Sequence, residues 1–183
     1  MTSYEFFAQA VGIVAMAFNI LSFQQKTHKS VITCQLFGTL LFAVNFFMLG
    51  APIGGTLNLV AALRAIVFTN REKFRADHIG WLFFFTAVYI ASYILNFTVF
   101  GVELTPLRAV IELLPVAAMT VTTISFRMQD ARAIRRFGLF SSPAWLIYNI
   151  SSFAVGAIIG EILSLCSIVI GILRYDRQPK TNQ

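Results

Sequence analysis

Asn45, Asn58, Trp145, Asn149 and Glu161 stand inside stretches that are otherwise apolar. A carboxyl at the centre of a membrane helix costs roughly 2.5–3.5 kcal/mol, so such side chains usually face a bundle interior or a wet cavity. A Trp face offers a platform for the apolar side of a sugar ring or for a cation. Aromatic, amide and carboxyl groups together suit the holding of a small polar solute. Each also has a plainer use. Trp145 can be core packing, the asparagines can tie helices together, and Glu161 can be a solvated carboxyl near the outer end of its span.

Arg108 and Glu112 are spaced i,i+4 and can pair on one helix face, as a structural ion pair near the outer surface or as a gate. Arg64 lies close to the inner end of its apolar run and is expected to snorkel to the interface. The other reading puts it on the inner half of a pathway, where it would favour anions. Pro115 and Pro143 each remove a backbone hydrogen bond and permit bending. His28 and His78 have no partner at metal-ligand spacing, and Cys34 and Cys166 lie in apolar runs as small hydrophobes. No metal and no cofactor is expected. The chain shows no nucleophile–base pair and no phosphate loop, so an enzyme is not expected either.

The elements that must position these residues follow from composition. The chain is 57% hydrophobic and 12% charged, about half the charge of a soluble domain. That leaves too little polar surface to cover it in water, so lipid is its solvent. Apolar spans are predicted at about 4–23, 31–49, 53–69, 79–100, 107–126, 137–155 and 157–173, each near the ~20 residues a crossing helix needs. Strands with open edges are excluded, because lipid cannot pair their backbone.

The Lys and Arg residues alternate between the gaps. Lys26 and Lys29 fall in the first gap, then Arg71, Lys73 and Arg75 in the third. Arg127, Arg132, Arg135 and Arg136 fall in the fifth, and Arg174, Arg177 and Lys180 in the tail. The intervening gaps hold none. This is the positive-inside pattern, placing the N-terminus in the periplasm and the C-terminus in the cytoplasm of a bacterial inner membrane. It accounts for the basic balance without nucleic acid. Lys26 follows the first apolar run, so no cleavable signal peptide is expected, and the tail from Tyr175 is expected to be mobile.

A repeat runs through the chain. Ala15-Met16 and Ser22-Phe23 recur as Ala118-Met119 and Ser125-Phe126, an offset of 103 residues. A basic loop, an apolar span and a tight outer hairpin follow each, with Gly50-Ala51-Pro52 in the first half and Gly156 in the second. Asn45 and Asn149 correspond within the second span of each half, one residue further apart. Three spans make an odd number, so a single linker span at 79–100 is needed to keep both halves the same way up. The predicted fold is an all-α membrane protein of seven helices, two parallel three-helix bundles joined by a linker helix. Its parts are 1–73, the linker segment 74–103, 104–176, and a tail at 177–183.

Parallel repeats of this kind are one known way to build a secondary transporter. The arrangement resembles the SWEET sugar transporters of the PQ-loop superfamily. Trp145-Leu146-Ile147-Tyr148 resembles their Trp-x-x-Tyr signature, and Lys29-Ser30 resembles their entry to the second span. Taken whole, the chain is similar to the SWEET-like YgjV family of bacterial inner-membrane proteins. The resemblance implies a solute held between Trp145 and Asn58, with Glu161 at the depth where the second half would carry its own Asn. Leu41 or Phe42 stands opposite Trp145 in the first half, a departure, and the Pro-Gln pair is replaced by Phe23-Gln24-Gln25. An amide facing a carboxyl favours a polyol-like or cationic solute.

The expected function is secondary transport of a small polar solute by alternating access. Trp145, Asn58 and Glu161 would line the site, with Asn45 and Asn149 as supports. Glu161 is also a candidate for proton coupling. The alternative is a non-transporting receptor or assembly scaffold. The expected partners are the bilayer and a small solute, and a homo-oligomer is left open. A reporter fused after Arg136 is expected in the cytoplasm; alkaline phosphatase activity from that fusion would overturn the topology.

Overall fold

An apolar chain in lipid must satisfy its backbone within each segment, which a helix does. Every regular element among the described residues is helical. The computed structural model describes residues 3–48, 52–99, 103–151 and 155–176. Its helices are α1 (Ser3–Ser22), α2 (His28–Met48), α3 (Pro52–Thr69), the short α4 (Arg71–Phe74), α5 (Gly80–Thr98), α6 (Pro106–Arg127), α7 (Ala131–Ser151) and α8 (Val155–Gly171). A π-helical turn, Ile172–Asp176, continues α8. Pro opens α3 and α6, where its missing N–H costs nothing, and the Thr105 hydroxyl caps α6 by accepting from the Arg108 N–H at 3.2 Å.

Among the described residues, three helices are long and apolar enough to cross a membrane: His28–Met48, Pro106–Arg127 and Ile158–Asp176. Phe6–Ser22, Gly55–Thr69 and Gly80–Leu95 are apolar but shorter. Helix α7 starts six residues before its predicted span, so Arg132, Arg135 and Arg136 lie on its first turns and not in a loop. Of the two predicted outer hairpins, Gly50 and Ala51 lie outside the described residues, and Gly156 belongs to α8.

Small residues carry the close packing. Ala8, Ala15, Ala43, Ala61, Ala62, Ala65 and Ala118 are buried, while Phe6, Phe83 and Phe140 point outward. Small side chains let helix backbones approach where no hydrophobic effect drives them together. Helix α2 packs between α1 and α3, and α7 packs between α6 and α8. The two sets meet along α1 with α8, α2 with α7 and α3 with α6. Helix α5 lies against α6 and touches α3.

The 103-residue offset returns in these contacts. Ser22 donates to the Asn19 carbonyl at 2.6 Å, and Ser125 to that of Thr122 at 2.7 Å. Ser167 of α8 donates to the Ile20 carbonyl of α1 at 2.7 Å. At the matched positions, Arg64 of α3 donates to the Thr123 hydroxyl of α6 at 3.4 Å. Phe68 meets Phe126 edge-on at 6.0 Å, and their counterparts Gly171 and Phe23 are so close that a Cβ on Gly171 would stand 2.5 Å from the Phe23 carbonyl oxygen.

One end of the bundle is closed by a buried ion pair. Arg135 forms a two-pronged contact with Asp176, Nε to Oδ2 at 3.1 Å and Nη2 to Oδ1, and the two side chains are 2% and 3% exposed. The same guanidinium donates to the Gln25 carbonyl at 2.9 Å and lies over the Tyr175 ring. Gln24 donates to the Ser167 carbonyl and hydroxyl at 2.6 and 2.9 Å. The ends of α1, α7 and α8 are thereby tied together. Tyr175 and Asp176 belong to this knot and not to the mobile tail expected from the sequence; residues 177–183 lie outside the described residues.

Removing one partner of a buried pair strands a charge, at about 3–5 kcal/mol, whereas replacing both with apolar groups is often close to neutral. Asp176→Ala is therefore expected to lose about that much stability, and Arg135→Met with Asp176→Leu to recover most of it. Thermal unfolding in detergent checks this; equal losses in single and double variants would refute the pair's role.

Candidate functional site

The seam where α3, α5 and α6 meet holds an unusual set of polar side chains. Arg64, on α3, is 6% exposed. Its Nη1 donates to the Met119 carbonyl at 3.1 Å, the Tyr89 hydroxyl at 3.2 Å and the Thr123 hydroxyl at 3.4 Å. Its guanidinium sits 4.8 Å from the centre of the Phe126 ring. The Nε is buried with no hydrogen-bond partner, and among the described residues no carboxylate reaches ion-pair distance. Arg64 does not snorkel, contrary to the expectation from its place near the helix end. Neighbouring helices cover that end, so its partners lie sideways.

Tyr89 and Met119 also line a cavity of about 30 Å³, together with Leu57, Ser92, Tyr93, Glu112, Pro115, Val116 and Tyr148. That space holds one or two water-sized particles. Glu112 is 8% exposed and accepts from the Arg108 Nε at 3.0 Å, while Arg108 is 44% exposed. The expected i,i+4 pair is present, its acidic end facing inward and its basic end outward. Helix α6 runs unbroken past Pro115, and α7 past Pro143.

The remaining sequence-predicted residues are distributed around this seam. Trp145 packs against the hydrophobic core and meets Tyr148 edge-on at 5.8 Å. Tyr148 lines the cavity, and so does Leu57, the neighbour of the half-buried Asn58. Glu161 is on α8, and Ser142, buried on α7, lies one turn from Trp145. Asn58 and Glu161 are on α3 and α8, helices without extensive packing on one another among the described residues. Asn149 is buried. Asn45 is buried and donates to the Ala8 carbonyl at 2.7 Å, tying α2 to α1.

Matched against protein families, residues 6–179 fit the model for Imp-YgjV, bacterial inner membrane protein. The chain belongs to the Imp-YgjV family. Inner membrane protein YgjV of Escherichia coli (strain K12) is 24% identical to it over 180 residues, covering 98% of this chain and 90% of that one. No solved structure matches the chain. Membership makes it a bacterial inner membrane protein, in keeping with its apolar helices.

In this Imp-YgjV protein, reading the sequence alone missed Tyr89, Thr123 and the Arg135–Asp176 pair. Tyr89 carried a faint signal, a hydroxyl in the long charge-free run of α5. Arg135 carried none, being one of several Arg in a basic stretch. Asn45→Ala is expected to cost about 0.5–1.5 kcal/mol by removing the hydrogen bond that ties α2 to α1. Chemical unfolding of the purified protein measures this; unchanged stability would mean the tie is dispensable.

Proposed function

We propose that this chain is a secondary transporter of a small polar solute, working by alternating access between two three-helix units, α1–α3 and α6–α8. Helix α5 is the linker, giving seven crossings with the N-terminus periplasmic and the C-terminus cytoplasmic. The observation that carries this reading is the recurrence of inter-helix contacts at the repeat offset: α1 with α8 matches α6 with α3, and α2 with α7 lies on the axis relating them. Two similar units around one axis can rock about a shared site and open it to one face at a time. The SWEET resemblance points the same way.

Trp145, Asn58 and Glu161 are the proposed solute contacts. Asn149 lies close by in sequence order on α7, and Asn45 acts through its tie to α1. Aromatic face, amide and carboxyl suit a sugar-like or cationic solute. Alternating access would have Pro115 and Pro143 bend the second unit against a stiffer first one, since α1 and α2 contain no proline.

A second reading, a receptor or assembly scaffold that carries nothing, is favoured by the size of the cavity. About 30 Å³ is far below the roughly 300–1,000 Å³ of small-molecule sites. None of Trp145, Asn58 and Glu161 lines that cavity, so on the transport reading the solute site itself is closed in this state. A thermal-stability screen of the purified protein against sugars, nucleosides, amino acids and amines separates the two. A ligand at 100 times its dissociation constant is expected to add about 2.7 kcal/mol, and Trp145→Ala and Asn58→Ala are expected to abolish the gain. A hit that survives both substitutions displaces the site, and a broad screen without hits supports the scaffold.

A further inference from the structure

Three cations converge on one aromatic ring at the end of the α1/α8 seam. Lys26 Nζ, in the turn after α1, lies 5.9 Å from the centre of the Tyr175 ring. The guanidiniums of Arg135 and Arg174 lie 5.7 and 5.3 Å from the same centre. Arg135 is buried, and Asp176 answers its charge. Lys26 and Arg174 are exposed, and among the described residues neither has a carboxylate at ion-pair distance. Their separation cannot exceed their two ring distances laid end to end. A π-face attracts a cation but carries no net charge, so these two like charges stand together without a counter-charge.

We infer that Lys26 and Arg174, gathered at Tyr175, bind the headgroup phosphate of an anionic phospholipid. The ring marks the depth: Tyr175 stands at the end of the apolar helix Ile158–Asp176, and tyrosines are enriched where helix ends meet the headgroups. Just before it the side chains of Leu173, Ile170 and Val169 are exposed, and so is Leu21 at the end of α1. These give the acyl chains of a bound lipid an apolar edge to lie on, which a soluble phosphate does not use. A basic cluster between helix ends suits an anionic headgroup, while a zwitterionic one brings a further cation to a place that already holds two. Lys26 follows α1 and Arg174 belongs to the turn that continues α8. A phosphate shared by both therefore ties the helix ends that the Arg135–Asp176 pair also joins, and its binding stabilises the fold. This site stands whether or not a solute is carried.

The test takes the full chain in dodecyl maltoside, stripped of lipid, and reads its thermal midpoint. Dioctanoyl phosphatidylglycerol, dioctanoyl phosphatidylcholine and glycerol 3-phosphate are titrated separately. Phosphatidylglycerol is expected to raise the midpoint saturably, and the other two to leave it unchanged at the same concentrations. Lys26→Gln and Arg174→Gln are each expected to weaken its apparent affinity about fivefold, the worth of one basic side chain at an anionic surface. Lys73→Gln combined with Arg75→Gln removes two exposed charges from another basic stretch and is expected to leave the affinity unchanged. A wild-type protein that does not respond to phosphatidylglycerol overturns the inference, and so does an equal response to phosphatidylcholine. An equal response to glycerol 3-phosphate also overturns it, by making the ligand a soluble phosphate. Equal losses in the Lys26 and the Lys73/Arg75 variants overturn it too, by reducing the attraction to overall charge. If Arg174→Gln does not fold, that last comparison decides.

Discussion

Lipid offers no partner to a polar group, so every such group carried into the helical body must be matched by the protein itself. Two guanidiniums show the two outcomes. Arg135 is matched in full by the Asp176 carboxylate and a backbone carbonyl, and it fastens three helix ends. Arg64 is matched only by neutral oxygens. The first arrangement ties helix ends together at one end of the molecule. The second leaves the Arg64 Nε buried without a partner.

The duplicated contacts give the fold its frame, and α5 breaks their symmetry. Met16 and Met119 occupy equivalent positions, Met16 against Gly160 across the α1/α8 seam and Met119 beside Leu57 around the cavity. The added helix covers only one of the two seams, and its Tyr89 completes the set around Arg64. Helix α5 thus supplies a side chain to the α3/α6 seam.

Much of this was legible in one dimension. Apolar length marked the helices, and the i,i+4 spacing of Arg108 and Glu112 marked their ion pair, because both signals are local. The repeat was legible because matched residues keep their order along the chain. The start of α7 was not. A run with Arg132, Arg135 and Arg136 looks like a loop until Asp176, distant in the chain, is brought alongside. The burial of Arg64 was hidden for the same reason: its position near a helix end says nothing of which neighbours cover that end.

The sequence by itself determined an apolar, all-helical chain in which matched residues recur at a fixed offset, since hydropathy, charge and order are properties of the chain. The tertiary structure alone decided which polar groups far apart in the chain are matched. Asp176 became the partner of Arg135, the Met119 carbonyl, Tyr89 and Thr123 became the shell of Arg64, and Asn45 became a tie to Ala8. Each of those pairings joins different helices, and the energy of a buried polar group depends on distances of a few ångströms that sequence separation does not encode.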